Sequence, residues 1–177
     1  MLLNVSQLLM EASGSVREYQ MDERIGLLDS SREDLVSGEV KLLKTTRSVW
    51  VSASFNSDVV NECDRCLAPF SQSVHMDIEE EYFPALDPAT GDRTQPEDAD
   101  EDTLYIDENQ MLDLTPMVQE YASLDLPMKP LCKSDCAGLC PNCGVNLNDA
   151  ACQCDTTPRD PRWGALLDMV SNVSQDD

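Results

Sequence analysis

The chain has 177 residues, room for one ordinary domain or one domain with a small metal module attached. Apolar residues make up 41% of it, enough for a core, while 34 acids against 12 bases leave a net charge of −22. A surface that negative repels a phosphate backbone at long range, which argues against a general nucleic-acid coat and favours a basic partner or no electrostatic partner.

The opening Met1-Leu2-Leu3-Asn4-Val5-Ser6 lacks the basic and apolar regions of a signal peptide. No apolar run approaches the roughly 20 residues of a bilayer span, so a soluble, cytoplasmic chain is expected. Residues 1–34 form an N-terminal lead-in. Within it, residues 4–13 predict a short helix anchored by Leu8 and Leu9 and stopped at Gly14. Val16, Tyr19, Met21 and Ile25 then suit an extended or irregular passage.

Residues 35–86 are predicted as an antiparallel strand region containing the first cysteine pair. Val40 and Leu42 share one pleat parity, and Val49, Val51, Ala53 and Phe55 share another, with Trp50 opposite. Thr45-Thr46-Arg47-Ser48 supplies a turn. Val59-Val60 leads into Cys63, and Val74, Met76 and Ile78 alternate along a further segment from Phe70 to Tyr82. Three or four strands follow. Pro69 cannot donate to a ladder and is placed just before a strand.

Residues 87–103 differ in kind. They hold seven acids, two prolines and a single base, Arg93. Such a stretch buries too little apolar area to offset about 1–2 kcal/mol of backbone entropy per residue, which predicts a disordered acidic loop. Order resumes across residues 104–170. Asp113 or Thr115 can cap a helix with Pro116 in its first turn, striped by Met117, Val118, Tyr121, Ala122 and Leu124 and ended by Pro127. Asp160-Pro161 opens a second helix packed through Leu166, Leu167 and Val170, and residues 171–177 are a frayed tail. The predicted fold class is α+β: a small antiparallel sheet with a few helices and a C-terminal zinc-knuckle-like cysteine module.

Eight cysteines carry the chemistry. In a reducing compartment, thiols clustered at short spacings are metal ligands before they are disulfides. Cys140-Pro141-Asn142-Cys143-Gly144 sets two thiolates on one tight turn, with a glycine suited to positive φ just after them. Cys152-Gln153-Cys154 follows, so Cys140, Cys143, Cys152 and Cys154 make a four-thiolate set suited to tetrahedral Zn²⁺. Redox or inert thiols are the alternatives.

Cys63, Cys66, Cys132 and Cys136 form a second, tentative set. Pairing them closes a loop of 65 intervening residues. That closure costs about 4 kcal/mol plus a constant, against on the order of 10–16 kcal/mol from structural zinc. One zinc held by mixed pairs, or a redox pair at Cys63 and Cys66, compete with it. One zinc is therefore expected, and a second if this set closes. Arg65 and Lys133 stand beside the thiolates, either as donors to sulfur or as ordinary surface bases.

An enzyme is not expected. The single histidine, His75, falls on a predicted strand away from the cysteines, Glu79-Glu80-Glu81 reads as a solvated run, and no phosphate-binding glycine loop is present. Lys41, Lys44 and Arg47, with Lys129, Lys133, Arg159 and Arg162, provide local basicity, but no nucleic-acid site can be assigned.

These residues resemble a known family. Cys63-Asp64-Arg65-Cys66-Leu67-Ala68-Pro69-Phe70 is similar to the cysteine-pair signature of the YceD family, the large ribosomal RNA subunit accumulation proteins. Asp113-Leu114, Glu120, Leu126-Pro127, Leu131-Cys132, the run Gly138 to Asn148 and Asp160-Pro161-Arg162-Trp163 follow in the family's order. The resemblance covers roughly residues 35–170. It implies a non-enzymatic ribosome-biogenesis factor supporting synthesis, processing or accumulation of large-subunit (23S) rRNA. The −22 charge turns that expectation towards action through a basic ribosomal protein or assembly factor. The alternative is a redox-sensing zinc protein of the chaperone type, whose thiolates release metal on oxidation.

Overall fold

In the computed structural model, which describes residues 1–28, 32–94, 96, 99 and 101–154, two short elements precede four long strands. They are β1 (Leu2–Asn4) and α1 (Ser6–Met10), then β2 (Val16–Ile25), β3 (Asp34–Lys44), β4 (Val49–Glu62) and β5 (Pro69–Pro84). The chain continues through β6 (Leu104–Ile106), β7 (Met111–Asp113) and α2 (Thr115–Asp125). The main sheet runs in the order β2-β3-β4-β5-β6, antiparallel except for the parallel β5–β6 pair, and β1 pairs with β7 in a separate ribbon. The α+β class holds, but the sheet is five-stranded and long rather than small.

Alternation decides which face is covered. Val40, Leu42, Val49, Val51, Ala53, Phe55, Val74, Met76 and Ile78 are all buried on one face, and Trp50 is exposed on the other. Each large apolar side chain so buried contributes about 1.5–3 kcal/mol relative to exposure. The cover consists of Val118 and Ala122 of α2, Leu8 and Leu9 of α1, and Leu3 and Leu112, which face each other across the ribbon. Gln119 Nε2 donates to the Gly26 carbonyl at 2.6 Å, and the Tyr121 hydroxyl donates to Glu80 at 2.8 Å, fixing the helix over the sheet.

Several expectations change in detail. The N-terminal helix is only Ser6–Met10. The passage from Val16 is a full ten-residue edge strand, because β3 offers it a complete ladder from Leu43 to Asp34. Pro69 sits inside the element, at the first residue of β5, where a missing N–H is tolerated. The N-cap residue of α2 is Leu114, without a side-chain cap; Asp113 Oδ1 instead accepts the Thr115 N–H at 2.9 Å. In the acidic segment, Asp87 Oδ1 accepts the N–H groups of Ala89 and Thr90, and Leu86 bridges Arg93. The helix expected from Asp160 and the tail of residues 171–177 lie outside the described residues. Among those residues, no helix is long and apolar enough to cross a membrane.

The register creates the feature that positions the site. β3 pairs with β4 only as far as Ser37 opposite Asn56, whereas β4 and β5 remain paired out to Glu62 opposite Pro69. Beyond Asn56 the two strands form an arm paired only with itself. The chain leaving α2 is led along this arm: Asp125 Oδ2 accepts the His75 N–H at 3.0 Å, and the Pro130 carbonyl accepts the Asp64 N–H at 2.9 Å.

Gly38 lies opposite Phe55 on the covered face. A Cβ there would stand 2.1 Å from the Ser54 carbonyl oxygen and 2.7 Å from Phe55 Cδ1, and the first of these is backbone that cannot swing aside. Gly38→Ala is expected to cost about 3 kcal/mol in a denaturant titration, by overpacking of the sheet.

Candidate metal centres

Two tight turns present the first cysteine of each set. At the arm tip, the Leu67 N–H donates to the Cys63 carbonyl at 2.8 Å and the Cys63 N–H to the Ala68 carbonyl at 3.0 Å. In the C-terminal segment the pattern repeats: Gly144 N–H to Cys140 carbonyl, and Cys140 N–H to Val145 carbonyl, both at 2.9 Å. The residue after the second cysteine is left-handed in both, Leu67 at φ 58° and Gly144 at φ 73°. The glycine at 144 signals this from sequence. At 67 nothing does, because leucine ordinarily avoids that region.

Each turn meets a second cysteine pair. Cys63, Cys66, Cys132 and Cys136 bring their four sulfurs within 4.8 Å of one another, and so do Cys140, Cys143, Cys152 and Cys154. These are the two sets expected from spacing. The sulfurs of Cys63 and Cys136 are 3.8 Å apart and those of Cys66 and Cys132 are 3.7 Å apart. In the other set Cys143 and Cys152 are separated by 3.5 Å, and Cys140 and Cys152 by 3.2 Å. A disulfide needs about 2.0 Å, so none of these contacts is a bond. Four thiolates about 2.3 Å from one metal lie about 3.8 Å from each other, which the first set matches.

The surroundings favour thiolates unequally. The Cys132 backbone N–H, working against burial, brings the Cys63 thiol down to about 6, and those of Cys143 and Asn142 bring Cys140 down to about 6. Burial pushes Cys132 up to about 12, and hydrogen bonding with Cys152 pushes Cys154 up to about 12. Each set therefore mixes thiols whose surroundings favour the thiolate with thiols whose surroundings oppose it, and a bound metal would favour the thiolate in all four.

Arg65 does not serve sulfur as anticipated. Its Nη1 donates to the Cys136 carbonyl at 2.9 Å. The side-chain donor is Asn148, whose Nδ2 lies 3.3 Å from Cys136 Sγ and lowers that thiol. Asparagine in a turn-rich segment carries no distinctive sequence signal, so sequence reasoning passes it over. His75 is exposed on β5, between Asn56 and Asp77, and belongs to neither set.

A sheet covered on one face, with paired cysteine turns meeting in the segment after α2, defines a small α+β protein with two cysteine tetrads positioned to bind a metal ion. A family model described as large ribosomal RNA subunit accumulation protein YceD matches residues 51–169, more than half the chain. The chain belongs to the YceD family. It is 32% identical over 153 residues to an uncharacterized protein of Mycobacterium tuberculosis (strain ATCC 25618 / H37Rv), covering 85% of this chain and 70% of that protein. An uncharacterized protein of Mycobacterium leprae is 28% identical over 134 residues, 75% of this chain and 58% of the relative. The chloroplastic large ribosomal RNA subunit accumulation protein YCED homolog 1 of Arabidopsis thaliana is 28% identical over 64 residues, 36% of this chain and 20% of its own. No solved structure matches.

Leu67 is mostly exposed and packs little, so its left-handed backbone is an uncompensated cost. Leu67→Gly is expected to stabilise the protein by about 0.5–1 kcal/mol, and Leu67→Ile to destabilise it by about 1 kcal/mol. Paired denaturant titrations measure both.

Proposed function

We propose that this chain is a non-enzymatic ribosome-biogenesis factor that supports accumulation of large-subunit rRNA, with zinc in both cysteine tetrads. Membership of the YceD family carries the biological half of this reading. The donor sets support the rest: four soft thiolates favour zinc over magnesium or calcium and leave no coordination position open for a substrate. Metal here fastens the arm tip to the segment that follows α2, which is a structural task. The four-thiolate chemistry suits a reducing compartment such as the cytoplasm.

The partner is a basic ribosomal protein or assembly factor, reached by charge attraction. At −22 the chain gains more from a basic protein surface than from a phosphate backbone. A tagged copy is expected to retain its ribosomal-protein partners after RNase treatment, measured by quantitative mass spectrometry; loss of all of them would overturn action through protein.

Metal content tests the structural half. Elemental analysis is expected to give two zincs per chain, falling to one in Cys140→Ser and to one in Cys63→Ser. A value of zero in the unaltered protein removes the metal reading.

A further inference from the structure

The two tetrads are enclosed to different degrees. Cys63, Cys66 and Cys136 are buried, with Phe70, Leu131 and Leu139 packed against them. In the second set only Cys140 is buried, and Cys143 and Cys154 are exposed. An exposed ligand sulfur can be approached by a competing chelator, whereas a buried set must first be uncovered.

Part of the cover over the inner set comes from the segment that carries the outer one. The Leu139 N–H donates to the Arg65 carbonyl at 3.1 Å, so the chain entering the second turn lies on the first. A Cβ at Gly138, which has φ +74°, would already approach that carbonyl to 3.0 Å. Asn148 completes the contact. Its Nδ2 reaches Cys136 Sγ at 3.3 Å and its Oδ1 accepts the Ala137 N–H at 2.9 Å. Asn148 also lies in the eight-residue stretch between Cys143 and Cys152, two ligands of the outer set. Asn148 is also held within its turn, its Nδ2 donating to Asn146 Oδ1 at 2.8 Å beside the Leu147 N–H on the Gly138 carbonyl at 2.9 Å. A metal bound by Cys143 and Cys152 would close the stretch at its other end and tighten that placement.

We propose that the outer tetrad is an exchangeable zinc site, that the inner tetrad is a slowly exchanging one, and that Asn148 couples them by holding Cys136 more firmly while the outer metal is bound. This rests on the zinc reading above and assigns regulation to it: falling free zinc empties the outer site first and then loosens the inner one. Asn148 acts as a positioning residue, through the sulfur it donates to.

Zinc release from the loaded full-length protein into excess of a colorimetric chelator tests this. Two phases of equal amplitude are expected, and Cys143→Ser should remove the fast one while leaving one zinc per chain. Asn148→Ala and Asn148→Asp should keep two zincs and native circular dichroism yet speed the slow phase about tenfold, the scale of loss when a group hydrogen-bonded to a metal ligand is removed. Cys143→Ser should speed that phase similarly, and adding Asn148→Ala to it should change little more. A single phase, or a slow phase indifferent to both Asn148 variants, overturns the proposal while leaving two-zinc binding intact. Should the Asn148 variants lose native circular dichroism, the slow phase of Cys143→Ser alone decides, and an unchanged rate there overturns the coupling. Absence of zinc from the starting protein would instead overturn the metal reading itself.

Discussion

Past Asn56 the β4–β5 arm has no neighbouring strand of the main sheet, so its tip must be held by something other than a ladder. Four sulfurs are positioned to do this by sharing a metal ion. Cys63 and Cys66 at the tip face Cys132 and Cys136 from the chain beyond α2, and the described residues that follow, up to Cys154, are built outward from that junction. Counted along the sequence, the junction spans 65 residues and looks costly to close. In the fold most of that distance is already closed by sheet pairing and by α2 packing. The His75–Asp125 and Asp64–Pro130 hydrogen bonds bring the returning chain to the tip. What remains for the sulfurs is the short run after the helix, so the entropy opposing them is well below the roughly 4 kcal/mol of an open chain.

The same turn is used twice, in two environments. Both copies share their hydrogen bonds and their left-handed fifth residue, so the sulfur geometry is set locally by the backbone. Burial is set by what comes next. The first copy sits at the arm tip, where Phe70 follows in β5 and Leu131 arrives from the helix side. The second copy rests on the first, and its Cys143 and Cys154 are exposed. One local motif thus yields a covered centre and an uncovered one.

Strands β3, β4 and β5 were legible because their covered faces alternate cleanly, from Val40 through Ile78. β2 hides the same period. Tyr19, Met21 and Ile25 do alternate, but Arg17 and Glu23 on their own face dilute the apolar signal, and the edge position leaves all of them except Met21 partly exposed or better. β6 and β7 have three residues each, too few for any period to register. The turn at Asp87 depends on one carboxylate accepting local N–H groups, a contact invisible in a composition that signals only disorder. Spacing pointed to the Cys140, Cys143, Cys152 and Cys154 set and offered the Cys63, Cys66, Cys132 and Cys136 set only as one of several pairings, because two-residue gaps suggest a shared turn while the wider and narrower gaps leave the pairing open. The donor to Cys136 was not, because Asn148 reaches it across a fold that spacing does not describe.

Charge links the metal centres to the partner chemistry. A four-thiolate zinc centre carries a net charge of about −2. In a chain already at −22 a cationic neighbour would be the obvious relief, yet Arg65 is committed to a carbonyl. The sulfurs are instead served by neutral dipoles: the N–H groups aimed at Cys63 and Cys140, and the Asn148 amide at Cys136. Neutral donors stabilise a thiolate without cancelling its charge, so loading both centres makes the chain more acidic as well as more rigid. Repulsion of a phosphate backbone then increases on metal binding, and attraction of the basic protein partner proposed above increases with it, over a range of about 8 Å at physiological salt. On the zinc reading proposed above, order in the segment that carries the tetrads and preference for a basic surface would therefore rise together.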